Sequence, residues 1–188
     1  MTRTKTHYIE LELNIPDDNN VYVISDTHFG HENIIRYCNR PFESLFKMNE
    51  TMVQNWREIV KPEDYVLFMG DFVMGQKKRN QVCNFYHSIL YGNKYMLRGN
   101  HDSGGGLDYR LYNRIYFNRY GKRFVCQHYP IDPKEVGCDI AIVGHTHNNV
   151  EPDKGLHRLK NQLNVSVELI DYKPLLLTED LIDEKNWT

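Results

Sequence analysis

The chain has 188 residues, 40% of them hydrophobic and 12% aromatic, which is enough apolar material to fill one core and predicts a single domain over 1–188. A formal charge of -2 excludes the global basic field that carries sequence-independent binding to nucleic acid. The four cysteines, Cys38, Cys83, Cys126 and Cys138, are far apart with no C-x-x-C pair, so reduced, mostly buried thiols in a reducing cytoplasm are expected.

The opening stretch MTRTKTHYIELELN alternates polar and apolar residues and lacks the apolar core of a leader. No later run approaches the ~20 apolar residues of a membrane span, so a cytoplasmic protein without a membrane partner is expected. From there one pattern recurs: a short apolar run ending in a polar loop. Val21–Ser25 runs into Asp26, and Tyr65–Met69 into Gly70 and Asp71. Lys94–Arg98 runs into Gly99, Asn100 and His101. These runs are short, rich in β-branched and aromatic residues, and bounded by turn residues, as buried strands are. Between them, Ser44–Val60 places Leu45, Met48, Met52, Val53, Trp56 and Val60 at helical spacing, with Pro62 beyond its end. Lys77–Leu90 puts Val82, Phe85, Tyr86 and Ile89 on one face and is closed by Gly92. Further on, Asn113–Gln127 predicts two strands about a turn at Tyr120–Lys122, with Arg123–Gln127 ending at His128. Ile140–Val143 ends at Gly144 and His145, and Asn161–Ile170 predicts one more alternating strand before a short tail. The order strand, helix, strand, helix, strand predicts a layered α/β domain.

The residues after these runs share one chemistry: Asp26 and His28, Asp71, then Asn100, His101 and Asp102, then His128, then His145 and His147. Nearly every one can ligate a metal. In α/β sheets, ligands gather outside the carboxyl ends of the strands, so loops distant in sequence converge on one rim. That many donors exceed the needs of one four-coordinate ion, and a dinuclear centre with ions ~3.5–4 Å apart is their natural use. Mixed imidazole, carboxylate and amide oxygen donors favour Mn, Fe, Zn, Co or Ni over Mg or Ca, with Mn placed first.

The series D-x-H at Asp26–His28, G-D at Gly70–Asp71, G-N-H-D at Gly99–Asp102, His128, and G-H-T-H at Gly144–His147 resembles the calcineurin-like metallophosphoesterase family, in order and throughout Asp26–His147. The resemblance implies a layered β-sandwich flanked by helices (αββα), with a dinuclear site at the carboxyl ends of its strands. It implies one ion held by Asp26, His28 and His147, a second by Asn100, His128 and His145, and Asp71 bridging both. The implied chemistry is hydrolysis of a phosphodiester or phosphomonoester by a metal-bridging hydroxide, with His101 as general acid or electrostatic helper and Asn100 beside it. In the protein-phosphatase branch, G-D is followed by x-x-D-R-G. Here Asp71 is followed by FVMGQKKR, which argues against a Ser/Thr protein phosphatase and leaves Asp102 as a candidate to orient His101.

His31 follows Gly30 just before a helix start near Glu32–Asn33, and the motifs do not require it; it is expected to face the substrate phosphate rather than an ion. His7, His87 and His157 fall outside the motifs and are expected to be ordinary histidines. Asp108–Arg123 interleaves tyrosines with arginines and lysines, a pattern able to stack bases, yet a solvated hairpin with a half-buried aromatic face is the preferred reading. A small or nucleotide-like phosphate ester is therefore the expected substrate. Single-stranded nucleic acid cleavage is the alternative, and a non-catalytic scaffold of the same fold ranks below both.

Overall fold

Four apolar residues in a row, Val21–Ile24, do not suit a strand with one wet face, and all four are buried. The computed structural model describes residues 8–74, 79–102, 107–148 and 161–183. In chain order the strands are β1 (Glu10–Glu12), β2 (Val21–Ile24), β3 (Tyr65–Phe68), β4 (Asn93–Leu97), β5 (Leu111–Tyr112), β6 (Arg114–Arg119), β7 (Lys122–Cys126), β8 (Ile140–Val143), β9 (Gln162–Asn164) and β10 (Leu175–Leu176). The helices are α1 (Asn33–Tyr37), α2 (Leu45–Ile59), α3 (Arg79–Ile89) and α4 (Glu179–Ile182).

The strands form two five-stranded sheets, ordered β10-β2-β3-β4-β5 and β1-β6-β7-β8-β9, flanked by helices. Parallel pairing of β2, β3 and β4 brings their carboxyl ends to one edge. The parallel trio β7, β8 and β9 does the same in the second sheet. The two edges are tied directly: the Ser25 amide donates to the Val165 carbonyl at 2.9 Å and the Val167 amide to the Ser25 carbonyl at 3.1 Å. Val23, Leu67, Phe117, Phe124, Ile142 and Leu163, drawn from both sheets, belong to one buried cluster. A smaller cluster, Val125, Cys138, Ala141 and Val143, packs with Val136 of a 3-10 turn over Pro133–Val136.

Helix α2 shows why these layers hold. Ser44 caps it by accepting from the Lys47 amide, and Met48, Met52 and Trp56 recur at four-residue spacing to bury one stripe. The Trp56 ring stacks 6.4 Å from Phe68 of β3, so truncating it to alanine should cost about 3–5 kcal/mol.

Most predicted elements fall where the sequence places them, with a few differences. The second predicted helix is seen as Arg79–Ile89, and its expected start at Lys77 lies outside the described residues. The predicted strand over Asn161–Ile170 stops at Asn164: the Ser166 amide turns back onto Asn164 Oδ1 at 3.0 Å, and Val167–Leu169 forms a 3-10 turn. Three short edge strands, β1, β5 and β10, and helix α4 were not expected, because two to four residues are too few to show a period. The four cysteines are buried free thiols, as expected. Among the described residues, no helix is long and apolar enough to cross a membrane.

Candidate metal centre

Each strand of the two parallel trios delivers polar residues to the shared edge. Asp26 and His28 follow β2, Asp71 follows β3, Asn100 follows β4, His128 follows β7, and His145 and His147 follow β8. Five of these residues sit in the left-handed backbone region that favours glycine: Asp26 (φ 59°), His28 (49°), Asp71 (58°), His145 (73°) and His147 (49°). Such conformations cost on the order of 1–3 kcal/mol each and persist only where the surroundings over-determine them. The surroundings here are close backbone contacts. A Cβ on Gly99 would lie 2.0 Å from Asp71 Oδ1, and one on Gly144 would lie 2.0 Å from Ser25 Oγ, so side chains are excluded where the loops meet.

The donors fall into two groups. In the first, Asp26 uses Oδ2 to accept from the His145 amide and from the Ser166 hydroxyl, both at 2.9 Å. Its other oxygen, Oδ1, is buried with no hydrogen-bond partner, as are both ring nitrogens of His28. His28 Nε2 lies 3.9 Å from Asp26 Oδ1 and 3.7 Å from Asp71 Oδ2, and His147 Nε2 lies 3.7 Å from Asp26 Oδ1. Those gaps are too wide for hydrogen bonds, yet buried polar atoms are rarely left with nothing between them. In the second group, His128 Nδ1 lies 2.8 Å from the Met69 carbonyl, a contact in which Nδ1–H donates and Nε2 is left to turn inward. That Nε2 lies 2.9 Å from Asn100 Oδ1 and 3.5 Å from Asp71 Oδ2. His145 Nδ1 lies 2.9 Å from Asn100 Oδ1 and 3.2 Å from His128 Nε2. Asp71 Oδ2 thus stands within reach of both groups. Imidazole nitrogens, carboxylate oxygens and an amide oxygen, partly orphaned and converging, are a donor set that fits divalent transition-metal ions.

The electrostatics agree. Burial pushes His28 down to about 3, which keeps its ring neutral and able to ligate. Burial opposes ionisation of Asp71, but the His128 hydrogen bond and the neighbouring imidazoles hold it down at about 2. His147 moves the other way. Burial would lower it, but hydrogen bonds to Cys38 and Glu168 and the charge of Asp26 carry it up to about 10, so a cation entering there displaces a proton.

Around the donors, the structure places the remaining expected residues. The exposed His101 ring lies 5.5 Å from that of His28, edge-on, and its backbone amide donates to Asp71 Oδ1 at 2.8 Å. His31 is also brought in: its ring is 5.8 Å from His28 and its Nδ1 is buried without a partner. Asp102 uses Oδ2 to accept from the amides of Asp71 (2.7 Å) and Gly99 (2.9 Å), tying two loops together. Outside the centre, His87 packs its ring 4.2 Å from Tyr109, as an ordinary packing histidine would. His7, His157 and residues 103–106 lie outside the described residues.

Sequence reasoning did not single out Arg40, Ser166 or Glu168, all drawn into this site. The only available signal was a pair of polar residues, Ser166 and Glu168, inside the run NVSVELI, which alternation assigns to the solvent face. The exposed ring of Tyr129 stands 4.4 Å from that of His145.

Residues 20–132 match the profile of the calcineurin-like phosphoesterase family. The chain belongs to that family. This calcineurin-like phosphoesterase is 38% identical over 164 residues to MJ1445, an uncharacterized protein of Methanocaldococcus jannaschii, covering 86% of this chain and 88% of that protein. In structure it resembles AQ665 of Aquifex aeolicus, a protein of unknown function, with a TM-score of 0.68 and 29% identity over 89% of this chain and all of that one. The phosphoesterase YfcE of E. coli aligns at a TM-score of 0.40 and 15% identity, over 78% of each chain.

Proposed function

We propose that this calcineurin-like phosphoesterase is a hydrolase with two divalent ions, cleaving a phosphodiester or phosphomonoester of a small or nucleotide-like substrate. The observation that carries the proposal is the set of orphaned donors, Asp26 Oδ1 and both nitrogens of His28, facing Asp71 Oδ2 and His147 Nε2. Asp26, His28 and His147 would hold one ion, Asn100, His128 and His145 the other, and Asp71 both. Ions so held would supply hydroxide near neutral pH and offset the charge of the phosphate. Mn is the first candidate because the mixed nitrogen and oxygen donor set suits it.

The protein's own groups then divide the work. Asp71, ionised and turned toward both groups, fixes their separation. His101 stands at the exposed lip, where it would donate a proton to the leaving oxygen. His31, with a free buried nitrogen, would bind a phosphate oxygen. Asp102 keeps the loops bearing Asp71 and Asn100 in register.

A small substrate is supported by what the basic hairpin is already doing. Arg119 donates to the carbonyls of Pro16, Asp17 and Asn19, Arg123 forks onto Glu12, and Arg114 donates to Gln127. Cations committed in this way have little left for phosphates of a nucleic acid strand. Intact donors at every expected position support an enzyme over a scaffold. A single domain working in the cytoplasm completes the reading.

The test is hydrolysis of an aryl phosphodiester and an aryl phosphomonoester with added Mn²⁺. Activity on either, lost with chelator, is expected; activity indifferent to chelator, or none with any divalent ion, overturns the reading.

A further inference from the structure

We infer that Arg40 and Glu168 are positioning residues that aim His147 and the backbone of Asp26 at the first of the two ion positions, an inference that rests on the reading above. The Arg40 guanidinium is fully buried and Glu168 nearly so. Arg40 sits in the loop after α1, while Glu168 comes from the 3-10 turn where the expected strand broke off. From Arg40, Nε donates to Glu168 Oε1 at 2.8 Å and Nη2 lies 2.7 Å from the same oxygen. Its Nη1 also donates to the Thr27 carbonyl at 2.9 Å and Nη2 to the Asp26 carbonyl at 2.8 Å. One cation thus grips two successive carbonyls of the D-x-H loop, where Asp26 and His28 hold left-handed backbone.

The orientation of Glu168 is the informative detail. A carboxylate that only balances an arginine prefers the two-oxygen fork. Here Oε1 takes the arginine and also the His147 ring, with His147 Nδ1 at 3.0 Å, while Oε2 is left buried without a partner. The carboxylate has given up the fork to reach the histidine. With Nδ1–H committed to Glu168, the proton an entering cation displaces is the one on Nε2, the atom facing Asp26 Oδ1. A carboxylate on the far nitrogen of a ligating imidazole fixes its tautomer and raises its basicity, and losing such a partner typically weakens metal binding about 10–100-fold. In the second donor group, His128 is oriented by the Met69 carbonyl instead. The effect should therefore fall on one ion and spare the other.

Glu168→Gln and Arg40→Lys test this on the full chain by Mn²⁺ titration calorimetry and by the Mn²⁺ paramagnetic resonance spectrum. Glu168→Gln keeps the size of the side chain and guards against failure to fold, which thermal melting of both variants checks. The wild type is expected to bind two ions and give a spin-coupled signal. Each variant is expected to keep one ion at wild-type affinity, bind the other about 10–100-fold more weakly, and show an uncoupled signal at one equivalent. Nitrogen chemical shifts of His147 in the Zn²⁺-loaded protein should show Nδ1–H with Nε2 bound in the wild type and a mixture of the two attachments in Glu168→Gln. Variants that melt lower but keep both affinities and the His147 tautomer would overturn the inference and leave a purely structural pair. A wild type that binds no ion would instead bring down the functional reading on which the inference rests.

Discussion

The two halves of the candidate centre are built differently. In the first half, Asp26 and His28 are buried, with 0% and 2% of their surface exposed, and the His147 side chain is 12% exposed. This half is held by groups brought from residues 40, 166 and 168. In the second half, His128 is buried but Asn100 is exposed and His145 half-exposed, and its donors lean on one another at 2.9–3.2 Å. An anchored half and an open half suit different tasks. The first is held by partners from outside the donor set, and the second by contacts among its own donors. His101, at the boundary, belongs to the open half by exposure and to the anchored half through its amide bond to Asp71.

The largest expected effect comes from removing the group that both halves share. Asp71→Asn removes the negative charge at the junction; if several kcal/mol of transition-state stabilisation are lost, kcat/KM for a phosphodiester falls on the order of a thousandfold. A residual rate within tenfold of wild type would show that the halves do not depend on a common ligand. Next, His101→Ala should reduce kcat by roughly 10²–10⁴ with metal content unchanged, the range for a general acid, and His31→Ala should do so more mildly. Loss of an ion in His31→Ala would move that residue from substrate to metal.

Metal loading should be visible in stability as well. At an Mn²⁺ concentration of about 100 times Kd the folded state gains ~2.7 kcal/mol, or about 5–10 °C in Tm for a chain of this size. The chelated protein should be sensitive to acid through the anchored half. The His28 value, about 3, is below its unfolded value of 6.5, so the unfolded chain takes up that proton first and stability is lost as pH falls from 6.5 toward 3. Glu168, also buried, is held at about 2, below 4.5, by His147 and Arg40, and adds a further loss as pH falls below 4.5. His147 runs the opposite way: raised to about 10, it contributes fully below 6.5 and loses its contribution as pH rises toward 10. Thermal melts of chelator-treated protein should therefore pass through a maximum in Tm. A profile flat from pH 4 to 9 would mean the anchored half is not charged as described. The smallest effect is expected far from both halves. Arg123→Ala breaks an exposed fork with Glu12 and should cost under about 1 kcal/mol, with hydrolysis of a small diester unchanged.

The legibility of the molecule differs by element. Strands and helices with four or more patterned residues, such as β2, β3 and α2, could be read because burial imposes a period on the sequence. The edge strands β1 and β10 could not. The hairpin could be read as two strands about a turn, since β6 and β7 pair antiparallel there, but not the bonds of Arg114, Arg119 and Arg123 to Gln127, backbone carbonyls and Glu12. The run after Asn164 was misread because alternation assumes the strand continues, whereas the Ser166 amide turns back to Asn164.

What the sequence determined by itself is the donor chemistry, since residues able to ligate a metal stand at the ends of apolar runs and strand ends are where a parallel sheet gathers its ligands. What only the tertiary structure decided is how those donors are aimed: which oxygen of Asp26 stays bare, which nitrogen of His147 faces inward, and that Arg40 and Glu168 hold both. The reason is physical. A ligand must be one of a few residue types at a fixed place along the strand, which leaves a pattern in the chain. A hydrogen-bond partner need only arrive within 3 Å from anywhere, and Arg40 and Glu168 meet across 128 positions that carry no periodic trace of the meeting.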